Sequence, residues 1–124
     1  MRGIIGMAAG LMCAVAWART GSLVQQAPVA AARVTNPLEG DELARRAGAK
    51  LYFRECASCH GPQRQGIGKV PPLNSPVVSG SSAGALFWVL RNGSLKRGMP
   101  SFAHLPEPQR WQIITYLREG RNAK

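Results

Sequence analysis

Apolar positions recur at helical spacing in three stretches of this 124-residue chain, and no stretch alternates convincingly in the manner of a strand. In residues 41–55 (DELARRAGAKLYFRE), Leu43, Ala47 and Leu51 repeat every four residues with Tyr52 beside them, which predicts a helix buried along that stripe. Asp41 suits its N-cap, and Glu42 puts a carboxylate in the first turn, where the helix dipole favours it. Gly48 costs about 1 kcal/mol relative to Ala inside a helix, so it marks close approach of another helix. Residues 82–92 (SAGALFWVLRN) predict a second helix, capped by Ser82 and followed by Gly93, with Leu86, Val89 and Leu90 on one face. Phe87 and Trp88 widen that face. Residues 106–119 (PEPQRWQIITYLRE) predict the last helix, with Pro and Glu in its first turn and Gly120 after its end. Trp111, Ile114 and Leu117 form its stripe, Ile113 and Tyr116 extend it, and Trp111 reads as core.

The intervening segments read as loops. Residues 61–80 contain four Pro and four Gly, and a loop that long belongs in a small domain mainly when it has a function. Residues 19–36 lack apolar periodicity and read as a flexible linker. The folded unit is then residues 37–120, one domain of 84 residues, with 121–124 as a tail. A core that small usually needs a staple. Residues 1–18 read as an export signal: Arg2 supplies the charge, 3–15 are apolar, and Ala16-Trp17-Ala18 offers a cleavage site. Gly3 to Ala18 is 16 residues, just short of the roughly 17 a spanning helix needs, so the segment contacts a membrane only if it is retained as an anchor. Cys13 follows Met12 rather than a small residue, which argues against lipidation.

Cys56-Ala57-Ser58-Cys59-His60 carries the chemistry. Two thiols three positions apart can each bond a vinyl group of one haem, and the adjoining imidazole then lies under the iron. With the leader removed, these two are the chain's remaining cysteines and Met99 its remaining methionine. Met99 sits in a loop between Gly98, which permits close backbone approach to a flat ring, and Pro100, which stiffens the chain. A core methionine normally fills gaps on a helix, so this setting favours a distal iron ligand.

With these residues in place the chain resembles the class I c-type cytochromes, specifically their small bacterial monohaem domains, over about residues 41–120. That family spaces a helical Gly, an aromatic and the first haem cysteine four residues apart, as Gly48, Tyr52 and Cys56 are here. Its last helix crosses the glycine with an aliphatic and an aromatic residue three apart, similar to Ile113 and Tyr116. A proline after the haem motif offers its carbonyl to the proximal imidazole; Pro71 fits best, with Pro72 one register away. A Gly-Met-Pro loop supplies the distal ligand. The resemblance implies an all-α, cytochrome c-like fold: three to four short helices around one covalent haem c, the terminal helices crossing. It further implies Cys56 and Cys59 as thioether positions and His60 and Met99 as axial ligands; Leu73, Leu86, Leu90 and Phe102 are candidates for the apolar pocket, each equally readable as ordinary core. The Leu105-Pro106-Glu107-Pro108 start of the last helix departs from the usual Ser or Asp cap.

The expected role is periplasmic one-electron transfer rather than catalysis, either as a diffusible carrier or as a fixed subunit of a dehydrogenase or oxidase complex. The chain carries 16 Lys and Arg against 6 Asp and Glu, a formal +10. The cations are scattered and no nucleic-acid recognition motif accompanies them, so nucleic acid is not expected; the charge reads as a docking face for an acidic redox partner or, equally, as an ordinary solvated surface. Arg64, Lys69, Lys96 and Arg97 are the expected rim of the docking face. Two rivals are weaker. A zinc site would need Cys56, Cys59, His60 and His104, and adjacent ligands do not follow zinc spacings. A peroxidase or gas-binding haem would need an open distal face, with His104 serving there or replacing Met99.

Overall fold

The Asp41 carboxylate accepts the Ala44 amide at 3.0 Å and starts the longest helix of the computed structural model, which describes residues 22–119. Six helices follow in chain order: α1 (Val29–Ala32), α2 (Glu42–Glu55), α3 (Ala57–His60), α4 (Pro76–Gly80), α5 (Ala83–Asn92) and α6 (Glu107–Leu117). The described residues contain no strand, only isolated bridges at Ile67–Val70 and Ser94–Met99. The fold is all-α, as the resemblance implied. The export signal at 1–18, Cys13 and the tail at 121–124 lie outside the described residues.

α2 packs chiefly on α6, and Gly48 sets the crossing. A β-carbon there would collide with the Gln112 carbonyl oxygen and lie 3.0 Å from Tyr116 Cβ. The missing side chain lets the two backbones touch, which outweighs the local helical cost of glycine. This contact also fixes the roll of α2. Its inner line is Ala44, Gly48, Leu51 and Tyr52, while Leu43 is 77% exposed. The expected stripe was therefore one position off at its start, because glycine at the crossing decides which face turns inward. Arg45 ties the helix ends together, bonding Glu42 within α2 and Glu119 beyond α6 at 3.1 Å. Hydrogen bonds from Arg45 and then Arg46 pull the Glu42 carboxyl down to about 2.

Residues 22–36, expected as a linker, are packed. A 3-10 turn (Leu23–Gln26) and α1 lie against α5. Gly84 makes room for them: a β-carbon there would strike the Ala31 carbonyl oxygen. Asn36 is buried, its amide donating to Thr115 Oγ1 at 2.9 Å and its carbonyl oxygen accepting the Leu38 amide at 2.8 Å. This segment docks by the close approach of its carbonyls to Gly84, by the Asn36 amide and by Val24 on the core, too few apolar positions to show a period. A second difference is α4, inside the expected long loop. Ser75 and Pro76 mark its start and Val78 is its buried residue.

Candidate functional site

α2 ends where the attachment motif begins. The Cys56 amide continues the helix by donating to the Tyr52 carbonyl (2.8 Å), and the Cys56 carbonyl then accepts the His60 amide (2.9 Å) to close the single turn of α3. Gly61, at φ +87°, turns the chain away. Tyr52, fully buried, donates its hydroxyl to the Gly61 carbonyl at 2.6 Å, fastening the end of the motif to the middle of the helix that delivers it. Cys56 is buried and Cys59 exposed. Burial, with the nearby Glu55 and Cys59, pushes the Cys56 thiol up to about 12.

His60 Nδ1 lies 2.8 Å from the Pro71 carbonyl oxygen. A carbonyl can only accept, so Nδ1 donates, and in the neutral ring the free lone pair is then that of Nε2. The expected proline is thus the one whose carbonyl faces the ring, and the register with Pro72 is resolved. The contact fixes the ring's orientation, and such a contact strengthens an imidazole as a donor to metal.

Met99 is held from both sides. Ser94 and Met99 exchange amide–carbonyl bonds of 2.8 and 2.9 Å, closing the loop between them around the 3-10 turn Leu95–Arg97. Beyond it, the Phe102 amide donates to the Leu90 carbonyl (2.8 Å) and Ser101 Oγ to the Arg91 carbonyl (2.6 Å). These two bonds satisfy carbonyls that the end of α5 would leave open. Gly93, at φ +61°, lets the backbone pass Pro100; a β-carbon would sit 2.5 Å from the Pro100 oxygen. The loop is therefore anchored to α5 at both of its ends.

Cys56, Leu86, Leu90 and Phe102 belong to one buried cluster, and Leu73 and Met99 pack against it. Leu73, Leu86, Leu90 and Phe102 are all in or on that cluster, and His60 and Pro71 are joined to each other. These residues fit a haem: a buried sulfur at the edge of an apolar surface, an imidazole with one free lone pair, and a thioether on a tethered loop. Sequence reading missed Val78, which joins the cluster from α4, and the Tyr52 hydroxyl, which only its burial reveals. Trp111 is core, 3% exposed and stacked on Phe87 at 4.0 Å. His104 is exposed, its ring 6.0 Å from that of Phe102. One rim residue is misplaced: the Arg64 guanidinium packs over the Tyr116 ring at 4.8 Å instead of facing outward. Its loop turns back on α6 at that point.

Crossed terminal helices, a Cys-x-x-Cys-His turn and an all-helical frame define a c-type cytochrome domain, which carries covalently bound haem c and transfers electrons. The chain belongs to the family described as cytochrome c oxidase, cbb3-type, subunit III, whose model matches residues 43–117. No curated protein matches it.

Proposed function

We propose that this chain is an exported, periplasmic one-electron carrier holding a single haem c. Cys56 and Cys59 supply its thioether bonds, His60 and Met99 its axial ligands, and Leu73, Leu86, Leu90 and Phe102 its apolar surroundings. The observation that carries this reading is the His60–Pro71 contact, which leaves one nitrogen lone pair to bind metal. When bound, the haem supplies a reversible one-electron couple, and Met/His ligation raises its potential.

The chain's own contribution is to keep that site unchanged between redox states. Pro71 fixes the His60 ring, and the doubly anchored loop would present the Met99 thioether to a bound haem, which would leave small molecules no open position. Residues 61–105 contain Arg64, Lys69, Arg91, Lys96 and Arg97 but no Asp or Glu. This imbalance supports a partner with an acidic docking face. Exposed Leu95, at 90%, stands beside Lys96 and offers the apolar contact that a brief encounter complex needs.

The Met99→Ala variant tests the ligand reading. A c-type difference spectrum is expected in both proteins, with the weak methionine–iron band lost in the variant. Retention of that band would exclude Met99. Intact mass of the exported protein should equal the chain from Arg19 plus one haem.

The family description favours a second reading, a fixed electron-transfer subunit of an oxidase complex. Native electrophoresis of gently solubilised membranes distinguishes the two. A carrier migrates alone, whereas a subunit migrates with the complex. Among the described residues no helix is long and apolar enough to cross a membrane.

A further inference from the structure

Arg64 is the one non-glycine residue at positive φ among the described residues, at +60°. For a side chain other than glycine's this costs roughly 1–2 kcal/mol, so the side chain must return something that glycine would not. Its backbone is a junction of the proximal loop. The Arg64 amide donates to the Gly61 carbonyl at 3.1 Å, and its carbonyl accepts the amides of Leu73 (2.8 Å) and Asn74 (3.1 Å). Pro71, whose carbonyl faces His60, is thus held two residues from this fastening.

The side chain connects the loop to the helix crossing. The guanidinium lies 4.8 Å from the Tyr116 ring centroid, and Nη1 makes a long, 3.5 Å contact with the Tyr116 carbonyl. Nε is buried with no hydrogen-bond partner, so stacking on the ring, rather than a full set of polar bonds, fixes the group. Tyr116 in turn packs on Tyr52 at 5.4 Å, and Tyr52 holds the far end of the attachment motif through Gly61.

We propose that Arg64 is a positioning residue: its stacking on Tyr116 holds the 61–74 loop so that the Pro71 carbonyl stays in hydrogen-bond reach of His60. It acts on the reduction potential through that bond. A loosened bond makes the imidazole less basic and favours the reduced metal, so the potential rises. The proposal rests on His60 being the proximal ligand.

The test uses holoprotein in the reduced state. Three variants are compared with the parent: Arg64→Gly, which relieves the backbone but removes the stack; Tyr116→Leu, which keeps the cation but removes the ring; and Tyr116→Phe, which keeps both. The readouts are solvent exchange of the His60 Nδ1 proton by NMR, and the potential. Exchange should rise roughly two- to thirtyfold in the first two variants, the range given by a cation–π contact of about 0.5–2 kcal/mol. Tyr116→Phe should match the parent. In Tyr116→Leu, where no charge is lost, the potential should rise. Parent-like exchange in both Arg64→Gly and Tyr116→Leu overturns the proposal alone. If the parent's His60 ring protons lack the upfield shift of a haem ligand, the ligand reading falls and the proposal falls with it.

Discussion

Tyr52 shows how much one hydroxyl does in this molecule. The ring fills the crossing of α2 and α6, which a phenylalanine would do as well. The oxygen donates at 2.6 Å to the Gly61 carbonyl, which also accepts the Arg64 amide at 3.1 Å, so its loss removes the shorter of two bonds. Tyr52→Phe is expected to lower stability by about 0.5–1.5 kcal/mol in urea unfolding, the net value of one hydrogen bond. Burial, with smaller contributions from Cys56 and Tyr116, pushes the phenol from 10.0 up to about 12. The folded state thus prefers the neutral form. Stability from this group is complete below pH 10 and is lost as pH rises through 12. The parent should weaken over that window, and Tyr52→Phe should show a flatter profile there; equal slopes would mean that the phenol is not the titrating group. Residues of this kind were partly legible. Cys56, Cys59 and His60 stand out by their Cys-x-x-Cys-His spacing, and Met99 by its place between Gly98 and Pro100. By contrast, the inward face of α2 depends on where Gly48 meets α6, and so Leu43 was assigned inside.

Among the elements, those with a long apolar period were readable and those without one were not. α2, α5 and α6 each bury a stripe against a neighbour, so each announces itself. α1 and α4 have four and five residues, too short to show a period. α4 was further hidden because its Ser-Pro start looks like the loop around it. α1 is held by the shape of another helix at Gly84, which nothing in its own sequence reports. Gly84→Ala separates the two parts of the molecule. The added methyl must displace α1, while the C-terminal end of α5, whose Leu90 and Arg91 carbonyls hold the Met99 loop, is untouched. Trypsin should then cut after the exposed Arg33 several times faster than in the parent, with an unchanged absorption spectrum. If cleavage is no faster, α1 is not seated on that glycine.

Across the whole molecule the charges are sorted by position. Glu39, Asp41, Glu42 and Glu119 gather where α2 begins and α6 ends, with Arg45 and Arg118 paired among them. The segment from Gly61 to Leu105, which carries the Pro71 and Met99 loops, has cations and no carboxylate. Net charge alone would attract an acidic partner in any orientation, whereas a face sorted in this way would orient the approach. The two effects predict different outcomes. Reversing Lys69 and Lys96, both exposed and both on those loops, changes the net charge by four. Reversing Lys50 and Arg54, exposed on α2, changes it equally. If net charge governs, both pairs slow electron transfer to an acidic partner alike. If sorting governs, the Lys69→Glu/Lys96→Glu protein loses more rate at low salt, about tenfold or beyond, and its salt dependence flattens. The Lys50→Glu/Arg54→Glu protein should then keep most of both. Stopped-flow oxidation across a series of ionic strengths reads the difference, and equal slopes for the two doubles would remove the docking face from the account while leaving the haem site intact.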